Sequence, residues 1–358
     1  METLKSAVIG CGRMGAFTSE SVKQYAPKCY FPLSHAEAIR AHPRLELTAM
    51  VDSEALTLRR AADYYQVGKR YTDTQQMLEH EKPLLVGIAT RAYGRANIIE
   101  SLANRGVKAI HTEKPLCNSM FELNRLIDTF RNDNLFVTWG AIRRFLNVYQ
   151  HAVELANSGV YGNLLEVRVN MGSSPLYWTH PHSIDLILFS AKDRTIDRVQ
   201  ARLSALENTA VRTRVENDPR IIAATIYFKE GLTAHITQAL GVDFVLTCEH
   251  AEITVRADGH ALDIYSGTQG EYPKFMPLAI PESNLPGGSL GPISQLVNCL
   301  DGNVISIKEN YMVKQSILNS QLVAFAMLQS HLEGSKPVLL NSLDPNLEIL
   351  AISNGNYA

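Results

Sequence analysis

The hexapeptide Gly10-Cys11-Gly12-Arg13-Met14-Gly15 follows directly on the apolar, β-branched run 4–10 and opens a stretch of helical pattern. The first glycine permits a tight turn after a strand, the second lets the backbone approach a pyrophosphate, and the third lets helix and strand pack closely. Free N–H groups and the dipole at a helix start then favour an anion. The expectation is a strand-turn-helix cradle for a dinucleotide, with Gly10, Gly12, Arg13, Met14 and Gly15 around the phosphates.

The next 125 residues continue that pattern. Strands are expected at 4–10, 45–52, 84–89, 107–112 and 135–140, with helices between them, which is the alternation of a parallel sheet. The stretch 116–131 is the clearest helix, since Phe121, Leu123, Leu126, Ile127 and Phe130 recur near helical spacing. From about Asn163 the pattern becomes extended runs at 164–172, 196–205, 221–229, 232–239, 244–249 and 252–256. Helices are expected at 149–157, 183–189 and 310–332, and the Pro- and Gly-rich stretch 272–292 reads as one long surface connection. With 358 residues and roughly 150 per domain, the expected fold is an α/β Rossmann domain with a parallel sheet over 1–140 and an α+β second domain with a large, mostly antiparallel sheet over 141–358.

Composition removes several function classes. Hydrophobic residues make up 46% and charged residues 20%, which fits neither a disordered chain nor a coiled coil. Lys and Arg number 34 against 36 Asp and Glu, so a net charge of −2 supplies no general pull toward nucleic acid or an anionic membrane. The longest apolar runs, 84–89 and 184–189, fall far short of the ~20 residues a membrane span needs. The start of the chain lacks the pattern of a secretion signal, and the cytoplasm is the expected location. Five scattered cysteines without a Cys-x-x-Cys or Cys/His cluster read as reduced thiols, with no metal site expected.

Two further features extend the cradle. Asp52 ends the second expected strand, where a carboxylate can accept both hydroxyls of an adenosine ribose and would repel a 2′-phosphate. It lies 37 residues beyond Gly15 rather than the usual ~20, and residues 17–34 read as the insertion that accounts for the excess. Glu113-Lys114-Pro115 closes the strand expected at 107–112, at the carboxyl edge where open parallel sheets bind ligands.

With these residues in place the chain resembles the glucose-fructose oxidoreductase/inositol dehydrogenase (Gfo/Idh/MocA) family. The likeness runs through the glycine loop, Asp52, Thr90, Glu113-Lys114-Pro115, Arg144-Phe145 and His182-Ser183-Ile184-Asp185. It implies a dehydrogenase with NAD as cofactor, acting on a sugar, cyclitol or nucleotide-linked sugar held between the domains of a homodimer or homotetramer. Thr90, Glu113 and Lys114 then join the cofactor-binding set, and Arg144, Trp178, His180 and Asp185 the substrate-binding set. Oxidising an alcohol needs a proton acceptor on the hydroxyl as hydride leaves the carbon. Lys114 matches the family's lysine and is the expected acid/base, with His182 its partner or substitute.

The sequence departs from the family pattern at three places. Trp178 stands where an Asp usually precedes the histidine, His180 stands where a glycine is common, and Thr90-Arg91-Ala92-Tyr93-Gly94-Arg95 carries arginines in place of proline and histidine. Alternatives therefore stay open: a non-catalytic dinucleotide-binding sensor, or a glycosidase that uses NAD for transient oxidation. Single residues have bland readings too. Lys114 can be a solvated loop lysine, His182 a cap, Asp185 a cap or an imidazole partner, and Arg143 or Arg144 half of a surface ion pair. Residues 17–34, with Lys23, Lys28 and several tyrosines, are either a rim over an anionic substrate or a packed extension. Apolar residues in 232–240 suggest an exposed sheet face that a second subunit covers.

Overall fold

The computed structural model describes residues 2–207, 211–267, 272–282 and 286–351. They form two compact units, the first holding 2–142 and 286–318 and the second 143–282 and 319–351.

The first unit begins β1 (Leu4–Ile9), α1 (Glu20–Tyr25), α2 (His35–Ala41), β2 (Leu45–Val51), α3 (Ala55–Tyr65) and β3 (Lys69–Tyr71). It continues α4 (Thr74–Glu81), β4 (Leu85–Ile88), α5 (Arg95–Asn104), β5 (Ala109–Thr112), α6 (Met120–Phe130) and β6 (Phe136–Trp139). The six strands are all parallel, in the order β3-β2-β1-β4-β5-β6. Every residue of β4 and β5 is buried, as strands covered by helices on both faces require. Helix starts are fixed locally: Ser34 and Glu37 form a reciprocal capping box on α2, and Asp73 and Ser119 accept the N–H groups of Gln76 and Glu122. The expected strands all occur, shorter by a residue or two at their ends, whereas the three-residue β3 carries too little pattern to be read from sequence.

The second unit contains α7 (Asn147–Ala156), β7 (Leu164–Asn170), α8 (His180–Ala191), β8 (Ile196–Leu203), β9 (Arg214–Val215), β10 (Ile221–Phe228) and β11 (Thr233–Thr237). Then come β12 (Phe244–Cys248), β13 (Ala251–Arg256), β14 (Ala261–Ser266) and β15 (Lys274–Leu278). Eight of these strands form one sheet in the order β15-β14-β13-β12-β7-β11-β10-β8, antiparallel throughout except for the parallel pair β7 and β11. The alternation along β11 corrects one expectation. Leu232, Ala234 and Ile236 are buried in the core while Thr233, His235 and Thr237 are half-buried, so the apolar residues along β11 are covered and Leu240 beyond it is exposed.

Residues 272–292 are not one long connection either, since they include β15 and the start of α9 (Leu290–Leu300). Helix α9 and the first half of α10 (Val304–Leu332) belong to the first unit. There Asn310, fully buried, accepts the N–H of Val137 at 3.1 Å and donates to its carbonyl at 2.9 Å. One side chain thus satisfies both backbone groups of Val137 on the open edge of β6. The segment entering α9 also ties down the 17–34 insertion: Gly288 N–H donates to the Cys29 carbonyl and Ser289 N–H to the Pro32 carbonyl, both at 2.8 Å. A Cβ at Gly287 or Gly288 would overlap the insertion backbone, so those glycines serve close approach rather than flexibility. β16 (Glu348–Ile349), back in the second unit, pairs with β9.

Candidate active site

The glycine loop has the shape its sequence implies. Gly10 has φ +88°, and a Cβ there would lie 2.7 Å from the Ala89 carbonyl carbon. A Cβ at Gly15 would overlap the Gly10 carbonyl, whereas around Gly12 a Cβ would meet nothing within 4 Å. Two glycines therefore close the turn and the third leaves room above it. Asp52 follows β2 and receives the Cys11 N–H on Oδ2 at 2.7 Å, which links the end of β2 to the loop. Its Oδ1 accepts the Glu54 N–H at 2.9 Å, leaving each oxygen with further acceptor capacity. Thr90, just past β4, holds its Oγ1 out of solvent without a hydrogen-bond partner in the protein. An open Gly12, a carboxylate with spare lone pairs and a shielded hydroxyl without a partner fit a dinucleotide along this edge.

Lys114 follows β5 by two residues and is half-buried. Its N–H donates to Oε2 of Glu113 at 3.3 Å. The Glu113 carboxylate is buried, and its Oε1 lies 3.3 Å from Nε2 of His35 at the start of α2. Burial alone would raise this carboxyl, but the His35 hydrogen bond and the charges of His35, Lys114 and His111 outweigh it and bring it down to about 2. His111, on β5, is pushed well below the usual imidazole range by burial and by the neighbouring His35. Its Nδ1 lies 3.0 Å from Thr138 Oγ1, and its ring centroid is 4.5 Å from that of His35. Space for the cluster comes from two glycines. A Cβ at Gly140 would sit 2.5 Å from Glu113 Oε1, and one at Gly87 would sit 2.9 Å from His35 Nδ1.

In the second unit the proposed substrate residues lie in and around α8. Arg144 donates from Nε to Asp185 Oδ2 at 2.8 Å, and both side chains are buried. Arg143 forms a two-pronged pair with Asp258 at 2.7 and 2.8 Å. Neither arginine is a surface ion-pair residue. His180 is fully buried, its Nδ1 3.0 Å from Ser183 Oγ, and burial pushes its imidazole down to about 4. Trp178 is 40% exposed, whereas the neighbouring Tyr177 is in the core. Asp218, which the sequence reading passed over, accepts the N–H groups of Tyr177 and Trp178 at 2.7 and 2.8 Å. His182 lies one turn into α8 and is half-buried. Sequence reading also missed His35, whose partner is 78 positions away and gives no local signal.

A six-stranded parallel sheet with this loop is a Rossmann-type arrangement, joined in one chain to a mixed eight-stranded sheet. Residues 4–141 match the model of the oxidoreductase family with an NAD-binding Rossmann fold, GFO_IDH_MocA. D-apiose dehydrogenase from Paraburkholderia graminis is 27% identical over 127 residues, which are 36% of this chain and only 29% of that protein's length. The fold is shared over nearly the whole chain with the WlbA dehydrogenase of Bordetella pertussis, solved with NADH and UDP-GlcNAcA. That structure has a TM-score of 0.70 at 17% identity and covers 96% of this chain and 100% of its own. An inositol dehydrogenase homolog from Azotobacter vinelandii, solved with NADH and myo-inositol, has a TM-score of 0.72 at 14% identity over 94% of this chain and 98% of that one. No helix among the described residues is long and apolar enough to cross a membrane.

Proposed function

We propose that this chain is an NAD-dependent dehydrogenase that oxidises a CH–OH group of a sugar, cyclitol or nucleotide-linked sugar. The observation that carries the reading is Lys114, placed at the carboxyl end of β5 on the sheet edge that also bears the glycine loop, Asp52 and Thr90. In the NAD complex, Gly10, Gly12, Arg13, Met14 and Gly15 would surround the phosphates, Asp52 the adenosine ribose, and Thr90, Glu113 and Lys114 the other end. NAD supplies the hydride acceptor. The protein's own task is to take the hydroxyl proton, and a lysine amine held by a fixed turn suits it. The matching substrates of the D-apiose and inositol dehydrogenases support the polyol class, and UDP-GlcNAcA beside WlbA supports the nucleotide-linked one. His182 is the proposed partner of Lys114. A homodimer or homotetramer in the cytoplasm is proposed from the family resemblance.

The test is NAD+ titration followed by assay of NADH formation from D-apiose, myo-inositol and UDP-GlcNAcA. We expect Lys114→Ala to lower turnover by about 10²–10⁴-fold with NAD affinity close to that of the parent. A protein that binds NAD and sugar but forms no NADH would be the sensor, and glycosidic cleavage without net NADH would be the glycosidase.

A further inference from the structure

We infer that Arg95 is a positioning residue for Lys114, its guanidinium clasping the two backbone turns that follow β4 and β5. This rests on Lys114 being the acid/base, and it explains a departure from the family pattern that sequence alone leaves open. Arg95 is the first residue of α5 and is 1% exposed. Its Nη1 donates to the Glu113 carbonyl at 2.7 Å and also to the Pro115 carbonyl, and its Nη2 donates to the Thr90 carbonyl. One planar group therefore holds the residue on either side of Lys114 and the residue at the end of the neighbouring turn.

The placement is costly unless it does this work. A cation at a helix N-terminus meets the unfavourable end of the dipole, and α5 has Gly94 with φ +75° and no side-chain cap there. Burial lowers the guanidinium to about 10, against the supporting charge of Glu113, so it stays protonated at neutral pH. What offsets the cost is the set of three carbonyls together with the Glu113 carboxylate. A lysine in the same place has no planar fork and cannot reach all three in fixed directions. The groups converging on the turn are then Arg95 from α5, His35 from α2, and His111 and Glu113 from β5 and its end. Lys114 leaves a backbone that is pinned from below on both sides and at its own N–H.

The experiment needs no known substrate. In the full-length protein, the rate of Lys114 acylation by limiting acetic anhydride is followed against pH by mass spectrometry, with exposed Lys108 and Lys229 as internal references. It is repeated in Arg95→Lys and Arg95→His, each first shown to be folded by its melting curve and NAD titration. We expect the Lys114 profile to move by at least about half a pH unit in Arg95→Lys, as loss of a fixed charged environment dictates, with NAD affinity changed less than threefold and the reference lysines unmoved. An unchanged Lys114 profile in a folded variant would overturn the inference. Should neither variant fold, nitrogen-15 NMR of the parent decides: Arg95 side-chain N–H groups slow to exchange support the clasp, and rapidly exchanging ones sink it. If the profile moves while Lys114→Ala keeps its turnover, the clasp stands and the acid/base role of Lys114 falls.

Discussion

The two units handle their polar side chains in opposite ways. In the first, Glu113, His35, His111 and Arg95 are buried at a sheet edge; the bonds of Glu113, His35 and Arg95 reach the turn that carries Lys114, and His111 bonds Thr138 beside it. In the second, two side chains expected to meet substrate make bonds within the unit, Asp185 with Arg144 and His180 through Nδ1 with Ser183, and Asp218, not among those expected, accepts from the backbone ahead of α8. The lesson is that a polar residue in a motif position can be held inside its own unit by a partner, as Asp185 is by Arg144.

The contrast breaks most readily at Asp185. Asp185→Asn leaves the Arg144 guanidinium buried opposite a neutral amide, and breaking such a pair costs about 3–5 kcal/mol. Denaturant unfolding should show that loss while NAD binding by the folded protein is unchanged. A loss below about 1 kcal/mol, the range of exposed pairs, joined to weaker sugar binding, would return Asp185 to the substrate-binding set.

His180 sharpens the same contrast through pH. Its imidazole falls from 6.5 to about 4 because burial disfavours the charged form. Between those values the unfolded chain carries a proton that the folded one lacks, so stability is full above pH 6.5 and declines as pH falls toward 4. The linked loss is up to roughly 3 kcal/mol, and His180→Asn should flatten the stability curve in that window. His111 contributes with the same sign, whereas Glu113, already lowered to about 2, loses its contribution only as pH falls below about 4.5. A curve of unchanged slope in His180→Asn would mean that this ring is not held neutral by the fold.

What could be read from sequence follows from how far apart the interacting residues lie. Gly10, Gly12 and Gly15 lie within six residues, and Gly10 and Gly15 have local steric reasons there, so the loop was legible. The buried strands of the first unit were legible as apolar runs bounded by turns. The return of 286–318 to the first unit was not, because Gly287 and Gly288 look like loop residues until their packing against the insertion backbone is seen. Arg95 stood out in the sequence as a departure from the family pattern, but an arginine at a helix start reads as solvent-facing, which hid its bonds to the two turns. An apolar count over 232–240 ignores the two-residue alternation that turns Leu232, Ala234 and Ile236 inward, and leaves Leu240 as the exposed large apolar side chain of that stretch.

The smallest expected effect tests the first unit's side of the comparison at Asp52, an exposed-edge carboxylate whose role depends on a ligand rather than on burial. Its oxygens already accept the Cys11 and Glu54 N–H groups, and in the proposed NAD complex their remaining lone pairs would accept the adenosine ribose hydroxyls. A bound 2′-phosphate would meet that negative charge, and nearby cations offer limited relief: Arg60 lies over the Phe17 ring at 4.8 Å. NAD should therefore bind more tightly than NADP. In Asp52→Asn the charge is gone but an acceptor for Cys11 remains, so the preference should narrow by about tenfold, near 1.4 kcal/mol, with little change in melting temperature. Titration of both dinucleotides against parent and variant measures it. A parent that prefers NADP would show that Asp52 serves only to hold the glycine loop, and would place it with the scaffold carboxylates of the second unit.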